Sequence, residues 1–346
     1  MLRRADPKAV DPLTMAAENA LYPWLVADIG GTNARFGLVR EDGGAVEDIV
    51  ALKVADYPTP EAAAGSYLET IGARGARPKP KVIAFAIAAA IRGDTVRLTN
   101  HNWTVSRPAA IAALGAERVL LINDFEALAL ALPKLSESEL QFIGNARPDR
   151  SLPMAVIGPG TGLGVATCAP TPGGSWIALA AEGGHVSASA ADEFESSILD
   201  LVRAEFGHVS AERVLSGIGL PNLYRAIARL KGGEPEQLEA QAITERALAN
   251  QDANCVATLD TFCAMLGSFA GNVALTIGAR GGVFISGGIV PRLGDFFLRS
   301  RFRERFEAKG RFASYNAAIA TALMTARHPA MTGAAQAIEL QRRTTG

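Results

Sequence analysis

The sequence predicts a mixed α/β protein of two related lobes, and three observations carry that expectation. At 346 residues the chain exceeds the roughly 250–300 over which a single core keeps growing. A short apolar strand that runs into a glycine-rich turn and a returning strand occurs near residue 30 and again near residue 160. Each copy is followed by mixed strand and helix patterns. Each glycine turn therefore belongs to a lobe of its own, and the two are expected to face a shared cleft.

The elements follow in order. WLVADI (24–29) is an apolar run ending at Gly30-Gly31-Thr32-Asn33, and RFGLVR (35–40) alternates as a returning strand. Glu41-Asp42-Gly43-Gly44 punctuates the next turn, and 48–54 is expected as a third strand. A helix is expected over 59–72, starting at Pro60. KVIAFAIAAAI (81–91) is nearly all apolar, as befits a strand buried on both faces, and ERVLLIN (117–123) is similar. FEALALAL (125–132) has helical character and stops at Pro133. The pattern then restarts: a strand over 152–157, the turn Gly158 to Gly164, and a return over 165–168. Helices are expected over 191–205 and 253–279, a strand over 282–286, and an amphipathic helix over 296–309.

Composition narrows the function. Hydrophobic residues make up 49% and charged residues 20%, enough for a sizeable core. With 34 basic against 35 acidic residues, nothing electrostatic calls for nucleic acid or an anionic membrane as a partner. The mixed-sign run RFRERFEAKGR reads as a solvated helix face. Cys168, Cys255 and Cys263 are too few and too scattered for a disulfide framework and read as small buried apolar residues. No run reaches the roughly 18 apolar residues of a membrane span. The first 23 residues lack the apolar stretch of a signal peptide and are expected to form a flexible extension. Without a secretory signal the sequon Asn102-Trp103-Thr104 reads as coincidence, and a cytoplasmic protein is expected.

Five segments carry candidate chemistry. Asp28-Ile29-Gly30-Gly31-Thr32-Asn33 reads either as a tight hairpin or as a phosphate loop, since glycines bring consecutive N–H groups close to an anion. Asp28 is placed to hold Mg²⁺, usually through water. GPGTGLG (158–164) has more glycine than a hairpin needs, but it is neither a dinucleotide fingerprint nor a P-loop. Asp124, after Asn123 at the end of a buried strand, reads either as a helix cap or as a carboxylate facing a cleft. Glu182-Gly183-Gly184-His185 offers two polar side chains to one small ligand, with no zinc-site spacing. Ser286-Gly287-Gly288-Ile289 reads as a loop or as a close approach to a nucleotide base or ribose. Locally, Glu212 is only a first-turn acid.

Taken together the chain resembles bacterial glucokinase, the branch of the hexokinase and actin-like superfamily without the cysteine-rich zinc motif. The resemblance rests on eight segments in the family's order: ADIGGTNARFGLV (27–39), LTNHNW (98–103), INDFEALALALP (122–133), GPGTGLGVA (158–166), EGGHV (182–186), SAERVLSGIGLPNLY (210–224), FISGGIVPR (284–292) and FEAKGRF (306–312). It implies a two-lobed actin-like ATPase fold, built on ribonuclease H-like sheets with a central cleft. The implied division is an extension over 1–23, a small α/β domain of 24–134 with 325–346, and a large α/β domain of 135–324. The activity implied is transfer of a phosphoryl group from ATP, with Mg²⁺, to glucose, and a homodimer is hinted at. The segment Ala27, Asp28, Ile29, Gly30, Gly31 and Thr32 resembles the family's first phosphate loop, with Asp28 its metal-associated aspartate. Gly160, Thr161 and Gly162 resemble the second loop, and Gly287 and Gly288 the adenosine-side turn. Asn123, Asp124, Glu182, His185 and Glu212 match the glucose-binding set, and Asp124 the general base. The chain departs from the family at Ala88-Ala89-Ala90-Ile91, where members often carry proline. The alternatives are a kinase for another hexose or amino sugar, a non-catalytic sugar-sensing regulator, or an actin-like filament protein.

Overall fold

The structure is a computed structural model that describes residues 22–98 and 101–345. Most of the expected N-terminal extension, and Thr99 and Asn100 of LTNHNW, lie outside the described residues. The chain divides into two compact units, one running up to residue 127 and taking up again at 328, the other covering 128–327. The domains expected from sequence differ from these units by a few residues at each join.

The first unit is built on β1 (Trp24–Ile29), β2 (Asn33–Val39), β3 (Glu47–Lys53), β4 (Val82–Ile87), the small hairpin β5 (Thr95–Arg97) and β6 (Thr104–Ser106), and β7 (Arg118–Asn123). Its main sheet has the order β3-β2-β1-β4-β7. β1 and β2 form an antiparallel hairpin, while β1, β4 and β7 run parallel. All six residues of β4 are buried, which is why its sequence shows no alternation. The helix Pro60–Gly72 starts where expected: Thr59 caps it by accepting from Ala62 N–H at 3.1 Å, and Pro60 takes the first turn. The C-terminal helix Pro329–Thr345 packs on β1 and β4.

One strand ends early. The apolar run to Ile91 predicted a strand over its whole length, but β4 stops at Ile87. Its neighbour β1 ends at Ile29, whose carbonyl takes the N–H of Ala88 at 3.1 Å as the last rung. Beyond that rung no strand among the described residues continues beside it, and the chain turns at Ala89.

The second unit contains β8 (Leu140–Ile143), β9 (Met154–Pro159), β10 (Leu163–Pro170), β11 (Trp176–Ala181), β12 (Gly282–Ile285) and β13 (Thr321–Met324). The order is β11-β10-β9-β12-β13-β8. β11, β10 and β9 form an antiparallel meander, and β12 and β13 run parallel to β9. This repeats the arrangement of the first sheet and adds β8, so the repeat read in the sequence is a repeat of sheet topology.

The helix Ala253–Ile277 crosses the core of this unit. It is long and apolar enough to span a membrane, but 72% of its apolar window is buried inside the protein. Gly267 lets a neighbouring segment lie directly on it: a Cβ there would sit 2.1 Å from the Phe302 carbonyl oxygen. All three cysteines are buried and unpaired, and burial pushes each thiol up to about 12.

The amphipathic helix expected over 296–309 is interrupted. Short helices Asp295–Leu298 and Phe302–Glu307 flank a break at Arg299–Arg301. Phe297 and Phe302 are five residues apart and would point away from each other on one straight helix. The break brings their rings to 4.9 Å inside the core. Ser300 supports it, donating to Phe297 O at 2.7 Å and accepting from Phe302 N–H at 3.3 Å.

Candidate active site

The candidate residues fall into two groups, one in each unit. In the first unit β1 delivers Asp28 to the start of the Gly30–Asn33 turn. The turn is held by backbone bonds, one within it and one to the segment after β3: Gly30 N–H donates to Asn33 O at 3.0 Å, and Thr32 O accepts from Val54 N–H at 3.0 Å. The N–H groups of Gly31 and Thr32 take no hydrogen bond among the described residues. Consecutive unpaired N–H groups in a turn suit an anion. Ala27 and Ile29 are wholly buried, so their side chains shape the strand and reach no ligand.

Asp28 faces Arg35 across the β1–β2 hairpin, where the two are register partners. Arg35 Nη1 lies 3.2 Å from Asp28 Oδ2. Burial raises the Asp28 carboxyl, and the Arg35 charge and hydrogen bond pull it back down. Nothing local in the sequence marks Arg35, because the pair exists only once the hairpin sets the register.

The choice at residues 123 and 124 is settled by the hydrogen bonds. Asn123 is the helix cap: its Oδ1 accepts from Phe125 N–H at 2.9 Å and Glu126 N–H at 3.2 Å. Its Nδ2 donates to Ala89 O at 3.1 Å and to Asp124 Oδ1 at 3.1 Å. Asp124 also accepts from Phe125 N–H, again on Oδ1, at 3.0 Å. Asn123 therefore does the capping and ties the Ala88–Ile91 turn to Asp124. The carboxyl of Asp124 is pushed up to about 6, chiefly by burial and next by the charge of Asp28; the N–H and Asn123 bonds oppose the rise. A carboxylate with an affinity for protons near neutrality is what general-base chemistry uses.

In the second unit the turn after β9 resembles the first. Gly160 N–H donates to Gly162 O at 2.8 Å, and Gly217 N–H donates to Gly160 O at 2.8 Å. The N–H groups of Thr161 and Gly162 take no hydrogen bond among the described residues. Gly287 stands beside this turn at φ +84°, and a Cβ on it would be 2.4 Å from Pro159 O. Only glycine fits there. A Cβ on Gly288 would meet nothing within 4 Å, so the space above that turn is open.

Glu182, His185 and Glu212 are held by one small scaffold on β10. Gly183 packs on Val165 and Gly184 on the Leu163 carbonyl, where a Cβ would sit 2.0 Å from the oxygen. The glycines of EGGH are thus required by close packing, and they draw Glu182 and His185 against the strand. Both side chains are exposed; His185 Nε2 is 3.9 Å from Glu182 Oε2, beyond a hydrogen bond. Glu212 lies in a 3₁₀ turn, Ala211–Arg213, capped by Ser210 rather than in a longer helix. That turn is pinned to the EGGH segment by Ala211 N–H donating to Val186 O at 2.8 Å. Glu212 Oε2 accepts from Leu163 N–H at 2.9 Å.

The first unit thus carries an anion-suited turn and a carboxylate raised towards neutrality, and the second carries another anion-suited turn and a pair of exposed polar groups. The glucokinase family model matches residues 25–341. The chain belongs to the glucokinase family. A glucokinase from Chromobacterium violaceum is 50% identical over 314 residues, covering 91% of this chain and 88% of its own length. One from Paramagnetospirillum magneticum is 49% identical, covering 90% and 96%. The crystal structure of a glucokinase from an Antarctic psychrotroph superposes with a TM-score of 0.84 at 38% identity, covering 92% of this chain and 98% of that one. The fold is that of the actin-like ATPases, and the protein is a sugar kinase that phosphorylates glucose.

Proposed function

We propose that the chain transfers the γ-phosphate of ATP to O6 of glucose, with Asp124 as the general base. The observation that carries the proposal is the state of Asp124, a carboxylate oriented by Asn123 and Phe125 N–H and raised to about 6. At neutral pH it is ionised, yet it binds a proton far better than an ordinary aspartate. It would accept the acceptor hydroxyl's proton as the bond to phosphorus forms. Glu182, His185 and Glu212 would hold other sugar hydroxyls, and Asn123 would fix the angle of Asp124. The turns Gly30–Thr32 and Gly160–Gly162 would take phosphate oxygens on their N–H groups, with Gly287 and Gly288 on the adenosine side.

Among the described residues no group of three His, Cys, Asp or Glu side chains is placed to hold a metal ion. That suits Mg²⁺ arriving with the nucleotide, since Mg²⁺ is usually bound by one or two carboxylates plus phosphates and water. Asp28 would hold it through water, and the ion would neutralise phosphate charge.

The test is ATP consumption with a panel of hexoses and amino sugars, each against a sugar-free control. Glucose should give the highest kcat/KM. Sugar-independent turnover, or a clear preference for an amino sugar, would overturn the reading. Glu212→Ala should raise the KM for glucose by roughly tenfold, the scale of one lost charged hydrogen bond. An unchanged KM would argue against contact.

The same reading places the enzyme in the cytoplasm, with its ATP, and makes it a homodimer. β11 is the outer strand of its sheet, and it carries no charge or proline to blunt that edge. Ile177 and Leu179 on it are at least half exposed. Leu179 borders a cavity of about 330 Å³ also lined by Val186, Met265, Phe269, Val273 and Ile277. A second copy satisfies both features, because an antiparallel edge can pair with itself about a two-fold axis. Sedimentation velocity should show a dimer at micromolar concentration, and Leu179→Lys should shift it to monomer. A monomeric wild type would sink the proposal.

A further inference from the structure

We infer that Gly162 is a positioning residue for Glu212, so that the second phosphate turn also sets the affinity for sugar. The inference rests on the reading above that Glu212 holds a sugar hydroxyl.

The geometry is specific. Glu212 reaches across 49 residues of sequence to put Oε2 on the N–H of Leu163 at 2.9 Å. In doing so it lies over Gly162. A Cβ on Gly162 would be 2.5 Å from Glu212 Oε2 and 3.3 Å from its Cδ, and it would meet no other atom within 4 Å. The backbone of Gly162 is outside the left-handed region, so an alanine fits its conformation. Among the described residues Glu212 is then the only group that rejects a side chain there. Gly287, a short distance away, is a contrast: it needs glycine both for its φ and for its contact with the backbone.

The arrangement has a chemical consequence. Leu163 N–H holds one carboxylate oxygen, fixes the side chain in one rotamer and leaves the other oxygen to accept from a hydroxyl. A pre-ordered acceptor binds more tightly than one that must be ordered by the ligand. Leu163 is also the residue whose carbonyl receives Gly184 of the EGGH segment. One residue of β10 thus anchors Glu212 through its N–H and Glu182 and His185 through its carbonyl. It directly follows the N–H groups offered to phosphate.

The experiment is a double-mutant cycle of Gly162→Ala and Glu212→Ala. It is read by isothermal titration of glucose without nucleotide and by the KM for each substrate. Gly162→Ala should weaken glucose binding by about tenfold through loss of the ordered carboxylate, with a smaller change in the KM for ATP. In the Glu212→Ala background the same substitution should change glucose binding less than twofold, because the group it displaces is gone. If Gly162→Ala raises only the KM for ATP, or if the two effects add, the inference fails while Glu212 keeps its role. If Glu212→Ala leaves glucose binding unchanged, it is the reading of Glu212 that fails. Should Gly162→Ala not fold, the double variant decides: folding of the double confirms Glu212 as the obstacle, and failure of both overturns the inference.

Discussion

Asp124→Asn should lower kcat by about 10²–10⁴, the usual contribution of a positioned general base, while glucose still binds. Asparagine keeps the shape and can still accept from Phe125 N–H, so the loss isolates the proton acceptor. Turnover near that of the wild type would remove Asp124 from the role. The pH profile offers a second reading of the same group. The base must be ionised, so kcat/KM should rise with pH, with a midpoint at about 6, and level above it. The charge of Asp28 contributes to raising Asp124. Asp28→Asn should therefore move the midpoint to lower pH, whatever it does to the rate. An unmoved midpoint would mean that another group sets the limb.

Stability should change in the opposite direction to activity. The folded carboxyl titrates at about 6, above its ordinary 3.8, so the fold disfavours the ionised form. The cost is fully present above pH 6 and fades as pH falls towards 4. Asp124→Asn removes it and should stabilise the protein at pH 7 by on the order of 1–2 kcal/mol, after allowance for partial exposure. A melt at pH 7 and another at pH 4.5 check the sign: the gain should be large in the first and small in the second.

Gly333→Ala should be the most damaging single methyl in the first unit. A Cβ at Gly333 would lie 1.7 Å from the carbonyl oxygen of Ala127 and 2.4 Å from its carbon. Both obstacles are backbone, so no rotamer change relieves them and the C-terminal helix must move off the helix that begins at Asp124. Overpacking costs about 1–3 kcal/mol when side chains can adjust, and here the upper end is expected. The transition of the affected unit should fall by roughly 5–10 °C. Turnover should fall too, because Ala127 is less than one turn beyond Asp124. Gly65→Ala is the control. Gly65 lies within the helix Pro60–Gly72, and a Cβ on it meets nothing within 4 Å. It should leave the melt unchanged or raise it slightly. If both variants melt alike, close helix packing is not what fixes Gly333.

Much of the fold was legible before any coordinates. The starts of β1, the Pro60–Gly72 helix and the Ala253–Ile277 helix fall where capping residues and apolar runs put them. The doubled strand–turn–strand pattern became two sheets of matching order. Two expectations missed for one reason. A strand ends where its neighbour ends, and a helix breaks where the core wants two rings together. Neither Ile29 nor the Phe297–Phe302 contact leaves a mark in the local pattern at Ile87 or Ser300.

The candidate site divides in the same way. Glycine content and the threonine of each turn are local properties, and Gly30–Thr32 and Gly160–Gly162 could be read directly. So could the exposed pair in EGGH, and the ordered segments sufficed for the family. The sequence by itself therefore determined the chemistry available and the fold that carries it. Only the tertiary structure decided how the polar atoms are shared. It gave the cap to Asn123 and left Asp124 as the raised carboxylate. It set Arg35 against Asp28 through hairpin register, and it laid Glu212 over Gly162 on the N–H of Leu163. A carboxylate's proton affinity and a side chain's one allowed rotamer are set by neighbours in space, and folding makes Asp28 act on Asp124 from 96 residues away in the sequence.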